Sequence, residues 1–199
     1  MSFIALCILI VSIIAHEVAH GIAALWQGDE TAKNAGRLTL NPIAHIDPIG
    51  SILVPFMCAL ISPGFMFGWA KPVPINPYNF RNHKWGEALV SFAGPLTNII
   101  IALVFTVLIR TMAFGPAFLE FAYTAILINI VLALFNLIPI PPLDGSKILF
   151  SVLPRRWYKV KTHIEQRGFF ISIIVVLAAW HFFQPLAVLL FRFLIGASI

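Results

Sequence analysis

The feature that most constrains this chain is a set of long apolar runs of membrane-spanning length. Runs at 3–26, 88–109 and 117–138 each hold about 20 residues or more, which as helix cross the hydrocarbon of a bilayer. A further run, 49–67, is interrupted by proline and glycine. Because hydrophobic residues make up 60% of the chain and charged residues only 11%, its main solvent must be lipid.

These runs predict an all-α polytopic membrane protein, a bundle of about 4–6 membrane segments. Stretches 37–40 and 71–76 have the residue pattern of edge strands, so we expect a short irregular or β-like membrane-associated region beside the bundle. Cys7 and Cys58 both lie in apolar runs, where we expect small buried hydrophobes and no disulfide.

The net charge of +5 does not indicate a nucleic-acid partner. The basic residues lie in the loops between apolar runs, as the cytoplasmic excess of Lys and Arg in membrane proteins predicts. We therefore interpret the positive charge as a consequence of the membrane topology and as a source of attraction to anionic lipid.

The strongest local motif is His16-Glu17-Val18-Ala19-His20, inside the first apolar run. On a helix the two histidines project from one face within reach of one metal ion, and Glu17 lies beside that ion. Ionisable residues inside a membrane helix cost about 2.5–3.5 kcal/mol when charged, so they need partners or a cavity. The alternative interpretation is a set of polar residues that bond neighbouring helices.

A catalytic zinc takes three protein ligands and keeps one open position, so a third ligand must come from elsewhere. Of the eight carboxylates, Asp144 is the one embedded between apolar stretches. An alternative role for Asp144 is to cap the helix that resumes at Gly145. The two roles are compatible.

The depths of His16 and Asp144 in the membrane test whether the two residues can meet at one metal ion. His16 and Asp144 each lie about 10 residues before a polar boundary, about 15 Å if the chain between is helical. The depths correspond only if both segments run in the same direction, which requires 49–67 to dip in and return, with the amino terminus outside. Lys and Arg then number about 10 on the cytoplasmic side against 1 outside, compared with about 8 against 3 for full crossings. Whether 49–67 spans or re-enters, and whether 168–195 crosses once or folds back at Pro185, stays open.

The HExxH motif and the run from Asn136 to Gly145, with its Asn-xx-Pro-x-Pro-xx-Asp-Gly spacing, resemble the two signature motifs of the site-2 protease family of intramembrane zinc metalloproteases. Residues 91–98 are similar to the family helix between the motifs. Residues 40–50 and 68–77 resemble a compact bacterial branch without a PDZ domain. The chain shows no spanning helix before HExxH, in which it departs from larger members.

The resemblance implies a zinc-dependent endopeptidase that hydrolyses peptide bonds in or near transmembrane segments of membrane proteins. It implies one Zn²⁺ per chain, held by His16, His20 and Asp144, which lowers the pKa of a water towards about 7 and polarises the scissile carbonyl. Glu17 is then the general base and later the acid. Asn136 contacts the substrate or stabilises the oxyanion, or else bonds a neighbouring helix.

We expect residues 1–199 to form a single intramembrane metalloprotease domain, with a catalytic core at about 3–154 and a carboxy-terminal membrane segment at about 168–195. The expected location is the bacterial inner membrane. The expected partners are the lipid bilayer and a transmembrane substrate, which strand addition at 37–40 and 71–76 would bind. The oligomeric state stays open.

Two other functions fit some of these features. A membrane metal-ion carrier or channel predicts several ligand clusters along a pore, whereas the sequence shows one. A non-catalytic homologue that binds membrane helices does not require Glu17. The roles of two further residues stay open: His45 is an extra donor at the site or a structural contact, and Asn98 is a packing residue or a substrate contact.

Overall fold

The structure is a computed structural model, and it describes residues 2–61, 70–153 and 183–196. Its helices in chain order are α1 (Phe3–Trp26), α2 (Thr31–Asn34), α3 (Val54–Ile61), α4 (Gly86–Thr111), α5 (Pro116–Asn136), α6 (Asp144–Val152) and α7 (Phe183–Ile195). A π-helical turn at Pro48–Leu53 leads into α3, and short 3₁₀ turns lie at Pro42–His45 and Pro77–Asn79. Helices α1, α4 and α5 are long and apolar enough to span a membrane. The chain is therefore an integral membrane protein of the all-α polytopic class, as the sequence predicts.

The two ends of α1 follow from local chemistry. Ser2 caps the helix, because its hydroxyl oxygen accepts the Ala5 N–H at 3.3 Å. At the other end Gly28 has a φ of 101°, a left-handed conformation that lets the chain reverse at once. The Asp29 N–H then donates to the Ala24 carbonyl at 2.9 Å. This reversal places the Asp29 side chain beneath the end of α1.

Polar contacts give the directions of the three spans. His16 on α1 is bonded to Asn98 on α4, whereas His20, one turn later, is bonded to Val90. Advancing along α1 therefore means going back along α4, so the two are antiparallel. Ser12 is bonded to Asn129 on α5, and His16 and His20 meet Asp144 further on, so α1 and α5 are parallel. The parallel arrangement is the one that the depth argument requires.

The connection from α1 to α4 starts and finishes at the same end of the bundle. The Arg81 N–H donates to the Gln27 carbonyl at 2.6 Å, and the Lys71 N–H donates to the His45 carbonyl at 2.9 Å. A segment whose two ends meet makes no net crossing. This geometry favours the re-entrant interpretation of 49–67, of which residues 49–61 are described.

The prediction of edge strands at 37–40 and 71–76 is wrong, because the described residues contain no strand at either place. Pro72 and Pro74 have no N–H to offer a ladder. The N–H groups of 71, 73 and 76 are bonded to His45, Glu17 and Asp29 instead. The segment is irregular, which is the alternative to a β-like region that the same prediction named.

Most of the predicted 168–195 segment lies outside the described residues. Its last part forms α7, whose Ala187 packs with the buried Ala102, Ile126 and Ile130 of α4 and α5. Small residues such as Ala102 let the backbones approach closely, which is how membrane helices gain packing contacts. The Arg110 guanidinium at the end of α4 donates to the Phe193 carbonyl at 2.9 Å.

Candidate active site

Three side chains converge at one buried point between α1 and α6. His16 Nε2 and His20 Nε2 lie 3.0 Å apart, and each lies 3.1 Å from Asp144 Oδ2. The exposed fractions of the three residues are 5%, 6% and 7%. The structure thus brings together the three residues that the sequence singles out as ligands, across 128 positions of chain.

The hydrogen bonds of the two Nδ1 atoms determine how each imidazole is oriented toward this point. His20 Nδ1 lies 2.8 Å from the Val90 carbonyl oxygen, and His16 Nδ1 lies 2.7 Å from Asn98 Oδ1. A carbonyl oxygen only accepts, so each Nδ1 carries the proton and donates it. In the neutral imidazole each Nε2 then keeps a lone pair directed at this point, the form in which imidazole binds a metal.

The donor set fits a zinc ion. In a tetrahedral zinc site with bonds of about 2.0–2.2 Å, neighbouring ligand atoms lie about 3.3 Å apart, close to the separations in this trio. Two imidazoles and a carboxylate are a common zinc set. When both imidazoles are neutral, these three acceptor atoms repel one another unless a metal ion or a proton lies among them. His16, Glu17 and His20 also offer ligand atoms within 4.8 Å of one another.

Helix α4 leaves space at the trio because it carries a glycine there. A Cβ on Gly94 would lie 2.5 Å from His20 Nε2 and 2.6 Å from His16 Nε2. No side chain fits at those distances, so the glycine keeps the inner face of both imidazoles open.

The broken segment after α5 brings the carboxylate to the histidines. Prolines 139, 141 and 142 cannot continue the helix, and α5 ends at Asn136. The chain then doubles back so tightly that a side chain at Gly145 would run into the carbonyl oxygens of residues 137 and 138. Helix α6 therefore begins at Asp144 itself.

The Asp144 carboxylate does not cap α6. Leu143 occupies the capping position, and Asp144 lies in the first turn with Oδ2 directed at the histidines. Its other oxygen, Oδ1, lies 4.0 Å from Lys147 Nζ. The sequence leaves two roles open for Asp144, a helix cap or a contact with the histidines. The structure shows the contact with the histidines.

Glu17 lies at the edge of a cavity of about 380 Å³ that opens next to the trio. Its Oε2 accepts the Val73 N–H at 2.9 Å. The polar side chains that line the cavity include His16, Glu17, His20, Asn136, Asp144 and Lys147. A carboxylate beside two imidazoles in an open cavity is the arrangement that HExxH predicts.

A strap, residues 70–76, crosses the mouth of this cavity, and buried charged residues hold it. The Arg37 guanidinium, 7% exposed, donates to the Lys71 carbonyl at 2.7 Å and to the Pro72 carbonyl at 3.3 Å. Asp29, which is fully buried, accepts the Asn76 N–H at 2.7 Å. The strap is thus fixed on both sides of Val73, the residue that bonds Glu17.

Asp29 is ionised in this environment. Burial alone would raise the pKa of its carboxyl group, but hydrogen bonds from Thr31, Asn76 and Asn79 outweigh burial and hold that pKa below its ordinary value. The Thr31 hydroxyl lies 2.5 Å and the Asn79 amide nitrogen 2.8 Å from Oδ1. One carboxylate therefore joins the end of α1, the start of α2 and the end of the strap.

Comparison with known proteins supports this arrangement. The model of the family described as "Peptidase family M50" matches residues 111–179, which include Asn136 and Asp144. "Putative zinc metalloprotease YwhC" of Bacillus subtilis (strain 168) is 41% identical over 176 residues, 84% of this chain and 77% of that protein. The chain belongs to peptidase family M50. As a member of this family, the site-2 proteases, it is a metalloendopeptidase.

Further relatives of this M50 peptidase cover different shares of it. "Putative zinc metalloprotease Rip2" of Mycolicibacterium smegmatis is 29% identical over 187 residues, 89% of this chain and 70% of that protein. "Putative zinc metalloprotease MJ0611" of Methanocaldococcus jannaschii is 42% identical over 86 residues, 42% of this chain and 45% of that protein. No solved structure matches.

Two further residues that the sequence singled out as candidates for the site, Asn136 and His45, lie in different places. Asn136 lines the cavity, but its amide nitrogen donates to the Leu132 carbonyl of its own helix at 3.0 Å. His45 is buried in the loop, where its Nε2 donates to the Thr39 carbonyl at 2.9 Å. Its observed contact is the structural one, and it is not among the residues that line the cavity.

Several residues of the site were missed or left open. Asn98, whose role the sequence left open, is 0% exposed and is hydrogen-bonded to His16. Asn129, Asp29 and Arg37 carry no motif. For Asn98 and Asn129 the available signal was a polar residue inside an otherwise apolar span, which needs a partner. Asp29 and Arg37 lie between the spans, where no such signal exists.

Proposed function

We propose that this membrane protein is a zinc-dependent intramembrane endopeptidase that hydrolyses peptide bonds in or near transmembrane segments of membrane proteins. The observation that carries the proposal is the convergence of three buried acceptor atoms at 3.0–3.1 Å, next to the open carboxylate of Glu17. The names of the relatives, zinc metalloproteases, support it.

His16, His20 and Asp144 would hold one Zn²⁺ per chain, and their donors fit that ion. When bound there, zinc supplies a Lewis acid that polarises the scissile carbonyl and lowers the pKa of a water. With neutral imidazoles and a single carboxylate as ligands, zinc and its three ligands would together carry a net positive charge. Positive charge stabilises the oxyanion that develops on the carbonyl.

Glu17 is the proposed general base and acid. Its carboxylate takes a proton from the attacking water and later delivers one to the leaving amine nitrogen. The Val73 N–H bonded to Oε2 at 2.9 Å orients this carboxylate toward the cavity. Asn136 is proposed to contact the substrate, which requires its amide to leave the Leu132 carbonyl.

The position of the site suits a substrate taken from the bilayer. The two histidines of the trio lie on α1, a helix that spans the membrane by length and composition, so the substrate's peptide bond must reach that depth. Basic residues at the same end of the bundle include Lys33, Lys71, Arg81 and Lys84. By the positive-inside rule that end faces the cytoplasm, which fits a bacterial inner-membrane protein.

A metal-ion carrier or channel is the second candidate, and one observation weighs against it. A pathway through the membrane needs successive ligand clusters, whereas the described ranges hold one group of metal-ligating side chains. A non-catalytic homologue has no use for a carboxylate held in the cavity by a backbone N–H.

Glu17→Gln tests the proposal, because it keeps the size of the side chain and removes the proton acceptor. In liposomes that hold the full chain and a tagged single-span reporter, cleavage should fall by about 10²–10⁴-fold. Zinc content should stay at that of the wild type. Glu30→Gln, an exposed carboxylate 3.5 Å from Lys33, is the matched control and should cleave normally. Undiminished cleavage by Glu17→Gln contradicts the proposal, and zinc flux that survives the substitution supports a carrier.

A further inference from the structure

A continuous chain of side-chain hydrogen bonds leads from His16 through all three spans. His16 Nδ1 meets Asn98 Oδ1 on α4 at 2.7 Å. Asn98 Nδ2 donates to Asn129 Oδ1 on α5 at 2.8 Å, and Asn129 Nδ2 donates to Ser12 Oγ on α1 at 2.9 Å. The exposed fractions are 0% for both asparagines and 3% for Ser12. No bulk water reaches these groups, so each must find its partner inside the bundle.

The direction of every bond in this chain is fixed by a backbone carbonyl. Asn129 Nδ2 also lies 2.9 Å from the Ala125 carbonyl, which only accepts, so the amide nitrogen of Asn129 must point that way. Its oxygen then faces Asn98 and requires a donor, which is Asn98 Nδ2. The oxygen of Asn98 is left facing His16, whose Nδ1 must carry a proton.

A second carbonyl gives the same result independently. Asn98 Nδ2 also lies 3.5 Å from the backbone oxygen of Ser12, again an acceptor. A flipped Asn98 would place two oxygens against each other at both Ser12 and Asn129. The arrangement therefore selects one orientation of Asn98 and, through it, one tautomer of His16.

The two histidine ligands differ in how their tautomers are fixed. His20 Nδ1 donates directly to the Val90 carbonyl, a backbone group that needs no orientation. His16 reaches only a side-chain amide, which by itself can present either oxygen or nitrogen. His16 therefore depends on the rest of the network, and His20 does not.

We propose that Asn98 and Asn129 are positioning residues for the metal ligand His16. Asn98 holds the imidazole with its proton on Nδ1 and its Nε2 lone pair toward the trio, and Asn129 holds Asn98 in the orientation that does so. This inference rests on the proposed metal site. Partners of this kind typically change metal affinity by about 10–100-fold when removed.

Zinc affinity of the purified full chain in detergent tests the inference, with Zn²⁺ alone as the probe against a competing chelator. Asn98→Leu removes the acceptor and should weaken zinc binding by about 10–100-fold. Asn98→Asp keeps an oxygen acceptor for Nδ1 but loses the donor to Asn129 and Ser12, so it should weaken zinc binding less than Asn98→Leu does. Asn129→Leu should weaken binding less than Asn98→Leu, because it acts through Asn98.

Thr106→Val is the matched control. Thr106 is a buried polar residue on the same helix, 5% exposed, and its hydroxyl donates to the Ala102 carbonyl at 2.8 Å, outside the network. Its loss should leave zinc affinity unchanged. A general effect of deleting a buried polar group from α4 would weaken this variant too, and that result would overturn the inference.

A second measurement reads the tautomer directly. In metal-free protein labelled with ¹⁵N-histidine, the His16 ring should show the Nδ1–H form in the wild type and in Asn98→Asp. It should show a mixture in Asn98→Leu and Asn129→Leu. An unchanged His16 tautomer in folded Asn98→Leu, or equal zinc affinity of Asn98→Leu and wild type, overturns the inference.

His16→Ala separates this inference from the proposed function. If His16→Ala abolishes zinc binding while Asn98→Leu does not weaken it, the metal site stands and only the positioning role fails. If His16→Ala leaves zinc affinity unchanged, the proposed metal site itself fails.

Discussion

Two polar regions flank the site, one between the spanning helices and the other at the mouth of the cavity. The inner region is the network of Ser12, Asn98 and Asn129, and it contacts His16. The outer region is the strap, residues 70–76, which contacts Glu17 through the Val73 N–H. Each region holds one of the two kinds of group in the proposed reaction, a metal ligand or a base.

The difference between them follows from the backbone available at each depth. Inside the bilayer every backbone N–H of a helix is already used, so only side chains and spare carbonyl lone pairs can hold a neighbour. At the cavity mouth the strap is irregular, so its carbonyl and N–H groups are not used within a helix. They bind buried charged side chains instead. We therefore expect changes in the inner region to alter metal binding and changes in the outer region to alter turnover.

Gly94→Ala should have the largest effect, on the inner side. The added methyl group would lie 2.5 Å from His20 Nε2 and 2.6 Å from His16 Nε2, so an imidazole must move. We expect zinc affinity to fall by more than about 100-fold, and cleavage with it. Zinc content per chain after dialysis against a chelator measures the first effect.

Gly115→Ala is the control for that substitution. Gly115 precedes α5, and nothing lies within 4 Å of a Cβ placed there. It should retain zinc and activity. Wild-type zinc content in Gly94→Ala would show that the trio tolerates a side chain on α4, contrary to the close approach.

Arg37→Met should have the next largest effect, on the outer side. It leaves the Lys71 and Pro72 carbonyls without their cationic donor, so the strap loosens next to Glu17. Zinc affinity should stay unchanged while kcat/KM falls by about 10–100-fold, since small displacements of a catalytic group cost that much. Lys33→Met, an exposed cation, is the control. A parallel loss of zinc would remove the distinction between the two regions.

The sequence predicted the parts of the site that depend on local spacing. Helical geometry places His16 and His20 on one face, and HExxH needs nothing more. Asp144 was found because a carboxylate between apolar runs has few explanations. Matching depths favoured the parallel course of α1 and α5 without deciding it, since a rise of about 1.5 Å per residue is the same in both helices.

The remaining parts depend on rotations and loop paths that no local period encodes. Asn98 meets His16 across 82 positions only because α4 turns that face to α1, so the sequence left two roles open for it. The strap was predicted as a strand from alternating apolar residues. Its prolines and its hydrogen bond to Asp29, 47 positions away, make the segment irregular instead.

Asp29→Asn tests the strap through pH. The folded pKa of Asp29 is lower than the unfolded one, so its contribution to the free energy of unfolding is complete above about pH 4 and is lost as pH falls through the folded pKa. At pH 7 the variant should be less stable by about 1–3 kcal/mol, because an amide nitrogen meets N–H donors. The difference from wild type should shrink below about pH 4.

Thermal unfolding in detergent with a chelator present measures this difference without a contribution from metal loss. Glu30→Gln, the neighbouring exposed carboxylate, should follow the wild type at every pH. A stability difference that does not change with pH would mean that the pKa of Asp29 is the same in the folded and the unfolded protein.

Val73→Pro should have the smallest effect and most directly tests the contact between strap and base. Val73 lies between Pro72 and Pro74, so its backbone is biased to extended conformations, which proline also adopts. The substitution removes the N–H and replaces a buried side chain by one of similar size. Water can replace that donor at the open cavity, so kcat/KM should fall by only about 2–10-fold, with zinc affinity unchanged. Val73→Ala keeps the N–H and should cleave like the wild type. If Val73→Pro cleaves faster instead, the bond restrains Glu17 in the resting enzyme and a substrate must displace it. The strap would then be a barrier at the mouth of the cavity, whereas the inner network would still be a support.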